Sequence, residues 1–87
     1  MDALEDAFCY PNPTHTGEIT FKLPARRVVI KIFNIAGEKV FEEILPDGGL
    51  WKWECINSDN KKVASGIYIY ILTDDKTTKT GKLGIIK

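Results

Sequence analysis

The stretch Val28-Val29-Ile30-Lys31-Ile32-Phe33-Asn34-Ile35-Ala36-Gly37 sets the architecture of this 87-residue chain. Val28 to Phe33 is apolar except at Lys31, which reads as a central strand. Asn34 to Gly37 then turns the chain, and Gly37 can take the positive φ that a tight hairpin demands. Lys39 to Ile44 follows as a fourth strand, whose imperfect alternation marks a bulge or a sheet edge. Pro46-Asp47-Gly48-Gly49 is the clearest turn in the sequence. Beyond it, Trp51, Trp53 and Cys55 share one face of a fifth strand, and a polar loop runs from Asn57 to Lys62. Gly66 opens a sixth strand, permitting close approach where the loop enters it, and Ile67 to Leu72 is apolar on both faces. Asp74-Asp75-Lys76 turns the chain into a last strand over Thr77 to Ile86. Upstream of the quoted stretch, Ala7 to Tyr10 is a short first strand stopped by Pro11-Asn12-Pro13. Ile19, Phe21 and Leu23 alternate with Glu18, Thr20 and Lys22, a second strand with one wet face that Pro24 ends.

Seven short strands with no helical spacing predict an all-β fold. The expected form is an immunoglobulin-like (fibronectin III-like) seven-stranded antiparallel β-sandwich. Trp53, Tyr68, Tyr70, Ile30, Ile32, Ile19 and Phe21 are its expected core. A chain of this length buries only roughly 60–65% of its unfolded surface, enough for one core without a deep cleft. Residues 7–87 are expected to form that domain, and residues 1–6 to be the tail of a linker. Twelve basic residues balance twelve acidic ones, so no net field draws in nucleic acid or anionic membrane. The apolar runs are too short to span a bilayer. Met1 to Asp6 lack the basic start and apolar core of a signal peptide, so an export signal is expected upstream.

No constellation of side chains points to catalysis, a metal or a cofactor. His15, the one histidine, lies among turn residues without a nucleophile nearby. The adjacent pairs Glu42-Glu43 and Asp74-Asp75 point to opposite faces of their strands and do not converge. Asn57, Asp59 and Asn60 match no calcium loop and read as turn residues. Trp51, Trp53, Tyr68 and Tyr70 could stack on sugar, but their alternation is what a sandwich core requires. Cys9 and Cys55 form either one disulfide or two reduced core residues. Lys76, Lys79, Lys82 and Lys87 read as the lysines of a protected edge strand.

Tyr10-Pro11-Asn12-Pro13-Thr14, followed by Gly17 and Ile19-Thr20-Phe21, resembles the opening of the C-terminal sorting domains of type IX (Por) secretion. Val28 to Gly37, with Val40 after it, resembles the third strand and glycine turn of that family. Trp53 and Val63 to Tyr70 resemble the related immunoglobulin-like domain of flagellar hook-capping proteins, and Thr80 to Lys87 is similar to both. Two departures stand out. Glu54 and Cys55 occupy places where the hook-cap pattern has Asp and Gly, and Gly81-Lys82 stands where Arg-Lys is usual. The resemblance implies a module of a larger secreted bacterial protein, addressed to the outer-membrane translocon and delivered to the cell surface or beyond. Its alternatives are a structural or assembly module and, third, a carbohydrate-binding one. The implied partners are the secretion apparatus or upstream domains of the parent protein.

Side-chain alternation locates a partner-binding face. With Tyr68, Tyr70 and Leu72 facing inward, Ile67, Ile69 and Ile71 must face outward, and Val29 and Phe33 join them from the third strand. Such a patch exceeds scattered surface hydrophobes and suits docking or weak self-association. Lys79, Lys82 and Lys87 are the basic residues expected beside it.

Overall fold

The period-two pattern becomes two stacked antiparallel sheets in the computed structural model, which describes residues 4–86. Phe8–Tyr10 (β1), Ile19–Lys22 (β2) and Leu50–Trp53 (β5) form one sheet, in the order β1-β2-β5. Val28–Asn34 (β3), Lys39–Leu45 (β4), Gly66–Thr73 (β6) and Thr78–Ile85 (β7) form the other, in the order β4-β3-β6-β7. This is an immunoglobulin-like β-sandwich. The apolar run from Val28 is indeed central, paired with β4 on one side and β6 on the other. The irregular alternation of the fourth strand has both expected causes: β4 is an edge, and its register slips between Ile32 and Phe33, leaving Val40 as a bulge.

All seven residues expected in the core are buried there. Trp53 is 1% exposed; its indole Nε1 donates to Ile56 O at 3.1 Å and its ring meets Tyr68 edge-on. Phe21 meets Tyr70 edge-on at a centroid distance of 5.2 Å. Opposite-sheet aromatics thus interlock through ring edges and faces, an arrangement that adds to simple area burial. Tyr68 O–H donates to Ala64 O at 2.7 Å, so burying this phenol leaves no orphaned hydroxyl. Tyr70 lies over Gly81, where a β-carbon would come within 2.3 Å of the phenol ring.

Three expectations need correction. Residues 1–6 are not wholly linker: Leu4–Asp6 is a single 3-10 turn, and Leu4 is buried in the core. Its side chain joins the core cluster, and the 3-10 turn packs against β7. Cys55 is buried but lies beyond the end of β5, at a left-handed φ of 56°. Glycine adopts such a backbone without the β-carbon penalty that cysteine carries there. The disulfide alternative is also absent, since both cysteines are free thiols. Topology explains it. Cys9 is on β1 and Cys55 follows β5, on opposite sides of β2; two strand spacings are about 10 Å, beyond the roughly 7 Å that a disulfide spans.

The β6–β7 hairpin is held by Asp74. Its Oδ1 accepts hydrogen bonds from the backbone N–H groups of Lys76 and Thr77, both 2.8 Å, and from Thr77 Oγ1 at 3.0 Å. Its Oδ2 accepts Arg26 Nη2 at 2.9 Å and Nε at 3.1 Å, tying the hairpin to the loop before β3. The backbone donors of Lys76 and Thr77, helped by Arg26, hold this carboxyl well below the ordinary aspartate value of 3.8. The folded value lies below the unfolded one, so the stability Asp74 contributes is present above about pH 3.8 and lost as pH falls below it. Urea midpoints measured from neutral to acid pH should therefore fall on the acid side, and Asp74→Asn should flatten that limb. An unchanged acid limb in the variant would show that other carboxylates govern it.

Candidate interaction surface

The four-stranded sheet buries one face against β1, β2 and β5 and turns the other to solvent. Register fixes which side chains lie outside. Phe33 stands opposite Ile69 and Lys31 opposite Ile71, with Val29 further along β3 and Ile67 at the start of β6. Ile67 is 53% exposed, whereas Val29, Phe33, Ile69 and Ile71, on the two inner strands of the sheet, are half-buried. The structure therefore brings together all five apolar residues expected on this face. It adds Ile44, opposite Val29 on β4 and 49% exposed. The sequence concealed Ile44 because the bulge at Val40 resets the alternation of its strand.

The lysines divide. Lys82 is exposed on the outer face, opposite Ile69. Lys79 is not there: parity puts it with Gly81, Leu83 and Ile85 on the inner face, and its ammonium donates to Ala7 O. A lysine at the mouth of a sandwich can run its stem along the core and satisfy its head on a backbone carbonyl. Lys87 lies outside the described residues. Beside Ile67 the face continues into an open groove lined by Asn12, Pro13, Gly66, Lys82, Gly84 and Ile86.

Other candidate groups are held as parts of the fold. His15 is exposed in its loop. Asn57 Oδ1 accepts the backbone N–H groups of Asp59 and Lys61 at 2.9 and 3.1 Å, which is the turn reading of that loop. Trp53, Tyr68 and Tyr70 are buried and offer sugar no stacking surface; Trp51, half-buried, stacks on Phe41 at 6.1 Å. Burial pushes the Cys9 thiol up, against the opposing pull of the Tyr70 hydroxyl and Lys79, so it stays protonated and unreactive near neutrality.

Among families of known proteins, the secretion system C-terminal sorting domain matches residues 9–87. The chain belongs to this family. A sorting domain of this kind marks a protein for export by the type IX system to the cell surface or the medium.

Two solved structures contain a similar domain. One is PorZ of Porphyromonas gingivalis, described as an essential bacterial surface component of its type IX secretion system. The sorting domain matches it with a TM-score of 0.80 and 26% identity, over 97% of this chain and 12% of that one. The other is dimeric latent PorU of the same organism, with a TM-score of 0.72 and 19% identity, over 92% of this chain and 9% of that one. The second likeness is one of fold. The sorting domain thus spans about a tenth of either protein's length. No curated protein matches the chain.

Proposed function

We propose that the sorting domain is a non-catalytic export address of a larger protein, read as a folded unit through the outer face of its four-stranded sheet. The observation that carries this reading is the apolar surface of Val29, Phe33, Ile67, Ile69 and Ile71 on the solvent side of the four-stranded sheet, with Ile67 exposed and the other four half-buried, in a domain of an export family. A fully solvated sheet face gains nothing from five isoleucine, valine or phenylalanine side chains on adjacent strands, whereas a docking surface does. Lys82 at its margin supplies a polar rim. Upstream domains of the parent protein are the second candidate occupant of the same face.

The test is a fusion of residues 1–87 to a periplasm-targeted reporter in a bacterium with a type IX system. Surface delivery is expected for the parent sequence. The double variant Phe33→Thr, Ile69→Ser should keep its cooperative unfolding and lose delivery by about tenfold, the change expected for losing roughly 1.4 kcal/mol of docking energy. Unimpaired delivery would exclude this face from recognition. Collapse of the fold would show the face to be core. The likeness of Trp53 and Val63 to Tyr70 to hook-capping domains supports a structural or assembly module instead, and a parent fusion retained in the periplasm would favour that alternative.

A further inference from the structure

The segment between β1 and β2 straps itself along β7 by a hydrogen-bond pattern of its own. Thr14 N donates to Gly84 O and Ile86 N to Thr14 O, both at 2.9 Å, which makes one rung of a parallel ladder at Ile85. Two residues earlier, the side chain of Asn12 makes a second rung. Its Nδ2 donates to Lys82 O at 2.9 Å, where a backbone N–H would, and its Oδ1 accepts Gly84 N at 3.0 Å, where a backbone C=O would. The carboxamide thus stands in for a peptide group, with which it shares donor and acceptor. Pro13 lies between the rungs against Gly84, where a β-carbon would come within 3.1 Å of the proline ring. Thr14 is fully buried, and its Oγ1 donates to Glu18 O at 2.6 Å, fixing the strap to the residue before β2. The strap protects this part of the sheet edge more than lysine does, because Lys79 is turned inward to Ala7 O.

We propose that the strap and β7 form a mechanical clamp, which keeps the sorting domain folded while its N-terminal side and its last strand are drawn apart. Direction decides this. The two segments run parallel, so a pull on the chain before Asn12 and a pull on the chain after Ile86 slide them in opposite senses along one axis. A pull from the N-terminal side meets the three-residue β1 first and then the strap. The four hydrogen bonds between Asn12 or Thr14 and the stretch from Lys82 to Ile86 lie across that axis and are strained together. Bonds that must yield in one step raise the barrier to unfolding more than bonds that yield in turn. Forced unfolding is governed by that barrier and not by equilibrium stability. Gripping both segments at the same end would instead open the rungs singly, beginning at Asn12. Lys76 lies at that end, exposed in the turn that leads into β7. A folded address joined to a cargo on its N-terminal side meets the first kind of pull whenever its last strand is held. The clamp then preserves the four-stranded sheet, to which β7 belongs, and with it the outer face. It stands on hydrogen-bond geometry and not on which face the apparatus reads, so its failure would leave the export reading untouched.

The test pulls the intact chain in an optical trap at constant force. One handle is fused ahead of residue 1, and the other is placed either after residue 87 or at Lys76→Cys, the native thiols being buried. At the same force, handles at the two termini should give unfolding at least about tenfold slower than handles at residues 1 and 76. Asn12→Ala removes two of the four bonds, so unfolding from the termini should quicken by about tenfold. From residue 76 the same variant should change the rate by less than about threefold, because there the bonds never share the load. An Asn12 that served only equilibrium stability would quicken both geometries alike, and that result overturns the proposal. So do equal rates for the two handle placements in the parent sequence, a comparison that does not depend on the Asn12 variant folding.

Discussion

Trp53→Ala is expected to lower the unfolding free energy by roughly 3–5 kcal/mol, the range for deleting a buried aromatic. For a domain of this size that is a fall of at least about 12 °C in Tm. The reasons are specific to the site. The indole is 1% exposed, contacts Phe41 and Tyr68, and lies where β5 faces the inner side of the opposite sheet. Removing it opens a cavity bounded by rings that cannot collapse into it without losing their own contacts. It also strips the donor from Ile56 O, leaving a partly buried carbonyl to find water. Thermal unfolding of the variant beside Leu50→Ala, an exposed change on the same strand, supplies the comparison. Similar Tm values for the two would mean that Trp53 is not a keystone of the core.

The second large effect is expected at Gly48. Its φ is 60°, and a β-carbon there would lie 1.9 Å from Pro24 O and 2.6 Å from Arg26 O. Both neighbours are backbone, held by a clasp in which Leu23 N donates to Gly49 O at 2.8 Å and Gly49 N to Pro24 O at 3.3 Å. The turn after β4 therefore cannot admit a side chain without breaking its attachment to the end of β2. Gly48→Ala should cost about 4 kcal/mol, the upper end of single substitutions. Gly37→Ala is the control. Its φ of 85° is also left-handed, but no atom lies within 4 Å of a β-carbon there, so the cost should be only the backbone term of about 1–2 kcal/mol. Equal losses in urea titrations of the two variants would refute the steric account.

Much of this was legible before any coordinates because a buried strand writes itself as alternation. Ile30 and Ile32 are inward, and β6 alternates about Tyr68 and Tyr70, so the outer face of Ile67, Ile69 and Ile71 follows from parity. The sorting motifs in Tyr10 to Phe21 and Val28 to Gly37 likewise pointed to the family. What escaped reading has physical causes. Leu4 is a solitary apolar residue with no periodicity around it, so no local pattern announces its burial. Cys55 leaves the strand through a left-handed backbone that a non-glycine residue does not announce. Asp74 reads as a turn former, but Arg26 lies 48 residues away and no local pattern joins them. Lys79 differs from these: the parity that sends Leu83 and Ile85 inward also sends Lys79 inward, and its charge masked that signal.

The carboxamide that clasps Lys82 and Gly84 has a consequence for the ageing of the molecule. Asparagine side chains deamidate when the following backbone nitrogen attacks the amide carbon, and that attack needs an N–H. Pro13 follows Asn12 and has none. Conversion to aspartate would replace the Nδ2 donor with an oxygen facing Lys82 O, setting two acceptors against each other at the edge of β7. Asn57, by contrast, precedes Ser58 and carries no such chemical protection. The clasp on the last strand is thus made from an asparagine in a sequence context where deamidation through the cyclic imide is suppressed, a useful property in a domain that marks its protein for export to the cell surface or the medium.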